Sequence, residues 1–255
     1  MKSSLSSDDG RTTSAAQRAA ADRRQRRRGG SGGDGPIEHS VMFVCAANVC
    51  RSPLMAYAFE EAARSTASGT WNVSSGGVNA KAPLEICDIA AGILADHGVD
   101  DELLASHRAL RVMADHLDRQ DLIITASKDE RAVIAMIRPA LRNRTFTLNE
   151  AVALGAATPT ESERQSSTSA MGAEAGILAQ YAGVLHLRRG TMLIAPPLAP
   201  SRRRRLRRVE PDPQDIPDVH HLRRRPHLAT LAEAWESTQK LHAQVQDFLK
   251  ADARR

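Results

Sequence analysis

A cysteine and an arginine with five residues between them, Cys45 and Arg51, have the types and the spacing that most clearly suggest chemistry. They bound a short loop that lies between an apolar run of strand length, Ser40–Cys45, and Pro53, a residue tolerated at the start of a helix. Such a loop points successive backbone N–H groups into one concavity, where the dipole of the following helix favours an anion and a thiolate. A guanidinium there holds a tetrahedral oxyanion through paired hydrogen bonds. Together these groups suit phosphoryl transfer through a phosphocysteine.

The segments around this loop alternate between strands and helices. Strand-type runs occupy Ser40–Cys45, Trp71–Ser75, Asp121–Thr125 and Arg144–Leu148, and helical spacing occupies Pro53–Arg64, Pro83–His97, Asp129–Ile137 and about Pro226–Leu249. Because a strand–helix–strand unit places its two strands side by side in parallel, this order predicts an α/β fold with a parallel sheet.

The alternation stops after the fourth strand. Gly155–Met171 is polar and carries no predicted element, Gly172–Leu187 is consistent with one helix, and Arg188–Pro213 is predicted to be irregular. Residues 1–37 are poor in bulky apolar side chains, which predicts a disordered basic tail. We therefore expect one domain over residues 38–250, with an insertion at about 156–208.

Composition and charge narrow the classes of function. The net charge is +5, and the six arginines at 202–205, 207 and 208 account for more than all of it, since +5 − 6 = −1. Aromatic residues make up only 3% of the chain, which argues against a base-stacking surface, so no nucleic acid partner is expected. Three cysteines are too few for a disulfide-stapled secreted domain, and no apolar run approaches the ~18 residues of a membrane span. We expect a cytoplasmic protein without a membrane partner.

No metal or other cofactor is predicted. His220 and His221 are the histidine pair that invites a metal interpretation. Adjacent side chains face different ways, and no third ligand is spaced with them in the sequence.

The loop from Cys45 to Pro53 resembles the signature of the low-molecular-weight protein tyrosine phosphatases of the bacterial type. That signature is a strand followed by Cys-x-x-Asn-x-Cys-Arg-Ser-Pro near the start of the chain. Trp71–Gly77 resembles the second strand of that family with its turn, His107 lies where the family has a supporting histidine, and Ile216–Asp218 resembles its late Asp-Pro loop. The resemblance covers roughly 40–155 and 209–250. It implies a three-layer α/β sandwich around a central four-stranded parallel sheet, of the phosphatase I-like kind.

The resemblance also implies an activity, hydrolysis of phosphate monoesters on proteins carrying phosphotyrosine, without a metal. Cys45 would be the nucleophile, Arg51 would bind the phosphate oxygens, and Asp218 would act first as general acid and then as general base. The remaining loop residues, which would bind the phosphate, are Ala46, Ala47, Asn48, Val49, Cys50 and Ser52.

Supporting roles follow from the same resemblance. Ser52 would hydrogen-bond the thiolate, and Asn48, held by Ser75 and His107, would keep the loop in its strained shape. Cys50 would form a reversible disulfide with Cys45 that protects it from over-oxidation.

Two assignments stay open at this point. Asp212 precedes Pro213 in an actual Asp-Pro pair, so it is an alternative general acid to Asp218, which we prefer for its distance to the final helix. Phe, Tyr and Trp are missing from the expected pocket wall at 79–81 and 219–221, and either the insertion or Tyr181 could supply a new wall. Cys87, on a helix face with apolar neighbours, is predicted to be a buried apolar filler.

Other functions share the loop. Phosphoarginine phosphatases tend to carry Thr where this chain has Val49, which favours an aromatic or apolar leaving group here. Arsenate reductases need two further cysteines after the third strand, and Ala126 and Ser127 stand there. From a different class, the chain could be a phosphate-recognition or regulatory module of low activity that binds a partner through its basic insertion.

Overall fold

The structure is a computed structural model that describes residues 39–66, 69–172, 174–190 and 212–254. The predicted tail, residues 1–37, and the arginine run Arg202–Arg208 lie outside the described residues.

Four parallel strands form the sheet: β1 (His39–Cys45), β2 (Trp71–Gly77), β3 (Leu122–Thr125) and β4 (Thr145–Thr147). Their order is β2-β1-β3-β4. The chain therefore leaves β1 towards one edge and returns on its other side, so the strand order reverses between β1 and β3. Ligands of open α/β sheets bind beyond the carboxyl ends of the strands at such a point, and Cys45 is the last residue of β1. The predicted four-stranded parallel sheet is confirmed.

Helices cover both faces of the sheet. They are α1 (Arg51–Thr66), α2 (Asp88–Asp96), α3 (Asp101–Ala105), α4 (Ala114–Asp118), α5 (Lys128–Ile137), a 3-10 helix (Pro139–Arg144), α6 (Leu148–Gly155), α7 (Glu161–Met171), α8 (Ile177–Arg188) and α9 (Arg224–Asp252). Among the described residues, no helix combines the length and the apolarity that crossing a bilayer requires.

Side-chain alternation along β1 builds the two apolar cores. Val41 and Phe43 enter the larger core, which α1, α6, α8 and α9 cover, whereas Met42 and Val44 enter the smaller one beneath α4, α5 and the 3-10 helix. Successive residues of a strand point to opposite faces, and a sheet buried on both faces is therefore apolar throughout. The result is the predicted three-layer α/β sandwich.

The segment after β4 is more regular than predicted. The prediction that Gly155–Met171 contains no helix or strand is wrong, because α7 lies there and begins with a capping box. Thr160 Oγ1 accepts from the N–H of Glu163 at 3.2 Å, and Glu163 Oε2 accepts from the N–H of Thr160 at 2.7 Å. A Thr-x-x-Glu spacing is a helix-start signal that the polar composition hid.

Helix α8 belongs to the main core and packs against α7, α9, the 3-10 helix and the sheet. Tyr181 on α8 is 2% exposed and lies edge-on to Phe248, with 5.3 Å between the ring centroids. Burial raises the pKa of its hydroxyl. The expectation that Tyr181 could form a pocket wall is therefore wrong.

Two predicted helix starts are displaced. The helix predicted from Pro83 begins only at Asp88, where Cys87 caps it by accepting from the N–H of Ala90 at 3.4 Å. Pro53 is the third residue of α1 and not the first. Its missing N–H still falls in the first turn, where backbone donors have no partner within the helix.

Candidate active site

The loop after β1 is held by the side chain of Asn48, whose backbone has a φ of 58°. Asparagine tolerates this left-handed conformation better than other residues with a Cβ. Its Nδ2 donates to Ser75 Oγ at 2.9 Å and to Ser52 Oγ at 3.0 Å, and its Oδ1 accepts from the N–H of Leu110 at 2.8 Å. His107 Nε2 donates to its carbonyl oxygen at 2.9 Å. The loop is thus anchored to β2 and to the segment after α3.

Cys45 lies at the base of this loop and is 3% exposed. Its Sγ is 3.0 Å from Ser52 Oγ, and the N–H of Asn48 donates to it at 3.3 Å. Ser52 Oγ is also 3.2 Å from the carbonyl oxygen of Gly76. A hydroxyl has one proton, and a thiolate attracts it more strongly than a carbonyl does because the bond is charge-assisted. Ser52 is therefore placed to stabilise a negative charge on sulfur.

Arg51 is buried and turned towards the segment that precedes α9. Its Nη1 donates to the carbonyl oxygen of Ile216 at 3.0 Å, and its Nη2 donates to Asp218 Oδ2 at 3.0 Å and Glu130 Oε1 at 3.3 Å. The guanidinium thus has a partner on each side before any substrate arrives.

Glu130 is a site residue that the sequence did not reveal. Its side chain on α5 is 5% exposed, and its second carboxylate oxygen accepts from Ser127 Oγ. A buried carboxylate beside Arg51 fixes the orientation of the guanidinium and balances its charge. The Ser127-x-x-Glu130 spacing at a helix start was readable, but it suggests a capping box and gives no link to Arg51.

The three aspartates before α9 have different surroundings. Asp218 is 53% exposed at its side chain and contacts Arg51. Asp212 Oδ2 instead accepts from Lys128 Nζ at 2.6 Å, and Asp215 Oδ1 accepts from the N–H of Lys128 at 2.9 Å. Lys128 holds the pKa of Asp212 below its ordinary value. Of the two candidate acids, Asp218 contacts Arg51, which follows the loop after β1, whereas Asp212 contacts Lys128.

A cleft of about 330 Å³ opens over this arrangement. Ala46 and Arg51 line it, whereas Asn48, Val49, Cys50 and Ser52 are buried and Ala47 is exposed. Val49, on which the expected preference for an aromatic leaving group depended, lies in the apolar core. Four carboxyl side chains also line the cleft, those of Asp129, Glu130, Asp215 and Asp218.

A second group of reactive side chains lies beside the loop. Cys50 Sγ is 2.9 Å from His220 Nδ1, and Cys87 and His227 complete the group, in which all ligand atoms lie within 4.8 Å of one another. Cys50 donates to Cys87, which raises the pKa of the Cys50 thiol and lowers that of Cys87 to about 6. No third metal ligand lies near His220 and His221 in the sequence, whereas the fold brings Cys50, Cys87 and His227 close to His220. Cys87 is only half-buried against the core, and it caps α2 and belongs to this group, so its prediction as a buried apolar filler is wrong.

Comparison with known proteins identifies the class. Residues 40–156 match the family described as low molecular weight phosphotyrosine protein phosphatase. A protein-arginine-phosphatase of Geobacillus stearothermophilus is 28% identical over 114 residues, which are 45% of this chain and 72% of that protein. The low molecular weight protein-tyrosine-phosphatase Etp of Escherichia coli strain K12 is 29% identical over 112 residues, 44% of this chain and 70% of that protein.

Solved structures show the same fold. A cysteine-to-serine mutant of the YwlE arginine phosphatase with a phosphorylated active-site serine superposes with a TM-score of 0.50 at 16% identity, over 81% of this chain and 95% of that one. A low molecular weight protein tyrosine phosphatase from T. tengcongensis also gives 0.50, at 18% identity, over 80% and 97%. The match of residues 40–156 to the low molecular weight phosphotyrosine protein phosphatase family agrees with the resemblance predicted from the Cys45–Pro53 loop. The match ends before α7 and does not include Asp218.

Proposed function

We propose that this chain is a protein phosphatase that hydrolyses phosphate esters through a phosphocysteine on Cys45. The observation that carries the proposal is the contact of Arg51 with Asp218 at 3.0 Å, made by the same loop in which Ser52 and the N–H of Asn48 contact the Cys45 sulfur. Arg51 and Asp218 line one cleft, and Cys45 is buried next to it, directly before the lining residue Ala46.

In the first step, the Cys45 thiolate attacks phosphorus, the S–P bond forms, and the bond to the leaving oxygen breaks. Arg51 and the loop N–H groups hold the phosphate oxygens, on which negative charge is concentrated in the transition state. Asp218 acts in its protonated form and gives its proton to the leaving oxygen as that bond breaks.

In the second step, Asp218 takes a proton from water, and the water oxygen attacks phosphorus. The S–P bond breaks, inorganic phosphate leaves, and the thiolate returns to Cys45. Ser52 is placed to stabilise that departing thiolate, since its hydroxyl lies 3.0 Å from the sulfur. We place the reaction in a reducing compartment such as the cytoplasm, because Cys45 acts only as a free thiolate.

Phosphotyrosine on proteins is the first candidate substrate, supported by the matched family and by the Etp relative. Phosphoarginine, in which a P–N bond would break in place of the P–O bond, is the second, favoured by the carboxyl groups of Asp129 and Asp215 in the cleft, which would stabilise a positively charged guanidinium leaving group. No aromatic side chain is among the described residues that line the cleft. A panel of phosphotyrosine, phosphoarginine and phosphoserine peptides and arsenate separates these candidates.

Turnover of aryl phosphates tests the proposed roles. We expect Cys45→Ser to abolish hydrolysis of p-nitrophenyl phosphate. Equal rates for the wild type and this variant would rule out the proposed phosphatase activity and favour a phosphate-recognition module. Asp218→Asn should lower kcat on phenyl phosphate by about 10²–10⁴-fold, the usual contribution of a general acid. The loss should be smaller on p-nitrophenyl phosphate, whose leaving group needs less help from an acid. Asp212→Asn is the matched control, and a larger loss there than at Asp218 would reverse the assignment.

A further inference from the structure

Four side chains that bind metals in other proteins meet beside the phosphate-binding loop, although they are far apart in the sequence. Cys50 lies in the loop, Cys87 caps α2, His220 follows Asp218 by two residues, and His227 lies in the first turn of α9. Their ligand atoms lie within 4.8 Å of one another. Two thiols and two imidazoles form one of the ligand sets of tetrahedral zinc in proteins.

The separations fit a single ion. Zn–S bonds of about 2.3 Å and Zn–N bonds of about 2.0–2.1 Å place neighbouring atoms of a tetrahedron about 3.3–3.8 Å apart. Cys50 Sγ and His220 Nδ1 are 2.9 Å apart, and Cys87 Sγ and His227 Nε2 are 3.9 Å apart. These distances bracket that range, so small side-chain rotations are enough to form the site.

The surroundings make the site partly preformed. Cys50 and His227 are buried, at 7% and 4% exposed, whereas Cys87 is half-buried and His220 is exposed. The N–H of Cys87 donates to the carbonyl oxygen of Val49 at 2.9 Å, which fixes the start of α2 against the loop. The inner ligands are therefore held in place, and His220 leaves a path for the ion from solvent.

We propose that the chain binds one zinc ion through Cys50, Cys87, His220 and His227, a site distinct from the phosphate cleft. Each thiol releases its proton to solvent, and each histidine binds through the lone pair of a neutral ring, so that the two thiolates balance the 2+ charge. Magnesium and calcium are disfavoured because they take oxygen ligands. The ion ties the loop that carries Cys45 to the segment that carries Asp218.

Metal content of the whole chain tests this site without any assay of activity. The reduced protein is stripped with a chelator, reconstituted with Zn²⁺ or Co²⁺, desalted, and measured by plasma mass spectrometry. We expect one zinc ion per chain in the wild type and in Cys45→Ser, and loss of that ion in Cys87→Ser and in His227→Gln. The control is His221→Gln, which should keep the ion, since His221 is exposed and outside the group. Circular dichroism checks that each variant is folded.

The cobalt form gives a readout on the wild type alone. Tetrahedral Co²⁺ with two thiolates should show sulfur-to-metal charge-transfer absorption and intense d–d bands. Zinc should also slow amide exchange in residues 214–222 of the wild type and not of Cys87→Ser. Absence of the cobalt bands, a wild-type zinc content no higher than that of a Cys87→Ser/His227→Gln double variant, or loss of zinc in Cys45→Ser would overturn the proposal.

Discussion

The side chain of Asn48 makes three hydrogen bonds that hold the loop after β1, and replacing it with alanine should be costly. The lost partners are Ser52, Ser75 and the N–H of Leu110. At about 1 kcal/mol for each bond, the hydrogen bonds contribute about 3 kcal/mol. Alanine at the φ of 58° adds roughly 1 kcal/mol of backbone strain. We therefore expect Asn48→Ala to lower the free energy of unfolding by about 4 kcal/mol.

Urea unfolding followed by circular dichroism measures this loss, and kcat/KM on p-nitrophenyl phosphate reports the shape of the loop. The matched variant is Ser75→Ala, which removes one of the three bonds and leaves the backbone of Asn48 unchanged. Its expected cost is about 1 kcal/mol. An Asn48→Ala loss no larger than the Ser75→Ala loss, with unchanged kcat/KM, would refute the claim that Asn48 holds the loop.

Two further predictions concern the loop and the helices after β4. In Gly77→Ala the new Cβ would lie 2.7–2.8 Å from backbone atoms of Ala46, Ala47 and Asn48, so kcat should fall sharply. The control is Gly92→Ala on α2, where the new Cβ would have nothing within 4 Å, and this variant should keep its activity and gain up to about 1 kcal/mol of stability. Similar kinetics for the two variants would contradict this prediction. Arg188 holds the pKa of Glu163 at about 2, below its ordinary value of 4.5, so the ion pair stabilises the fold fully above pH 4.5 and progressively less as the pH falls towards 2. The stability difference between wild type and Glu163→Gln, from urea unfolding at several pH values, should shrink over that window, and a difference independent of pH would show that the ion pair does not act in this way.

The sheet and the loop were predictable because their signals are local. An apolar run, the Cys45-x5-Arg51 spacing and a proline at the helix start all lie within about fifteen consecutive residues, and the structure keeps them together. Helix α7 was missed although its capping box was present, since its polar composition offers no apolar stripe and packing decides whether such a segment folds.

Contacts between distant segments were not predictable in this way. Glu130 reaches Arg51 across 79 residues, and Cys50 reaches His220 across 170. No spacing rule joins residues that only the topology brings to the same edge of the sheet. The sequence could not decide between Asp212 and Asp218 for the same reason, because each lies beside a proline. Only the fold places Lys128 against Asp212 and Arg51 against Asp218.

Trapping of the covalent intermediate tests the central claim most directly. The protein is mixed with p-nitrophenyl phosphate, quenched within the first turnover under conditions that preserve phosphocysteine, and digested for mass spectrometry. The proposed mechanism predicts a phosphoryl group on Cys45 of the wild type and none at this position in Cys45→Ser. In a variant that slows hydrolysis of the intermediate, such as Asp218→Asn with this reactive substrate, a larger fraction of the protein should carry the phosphoryl group. Full turnover by the wild type with no phosphoryl group on Cys45, or with the group on another residue, would contradict it.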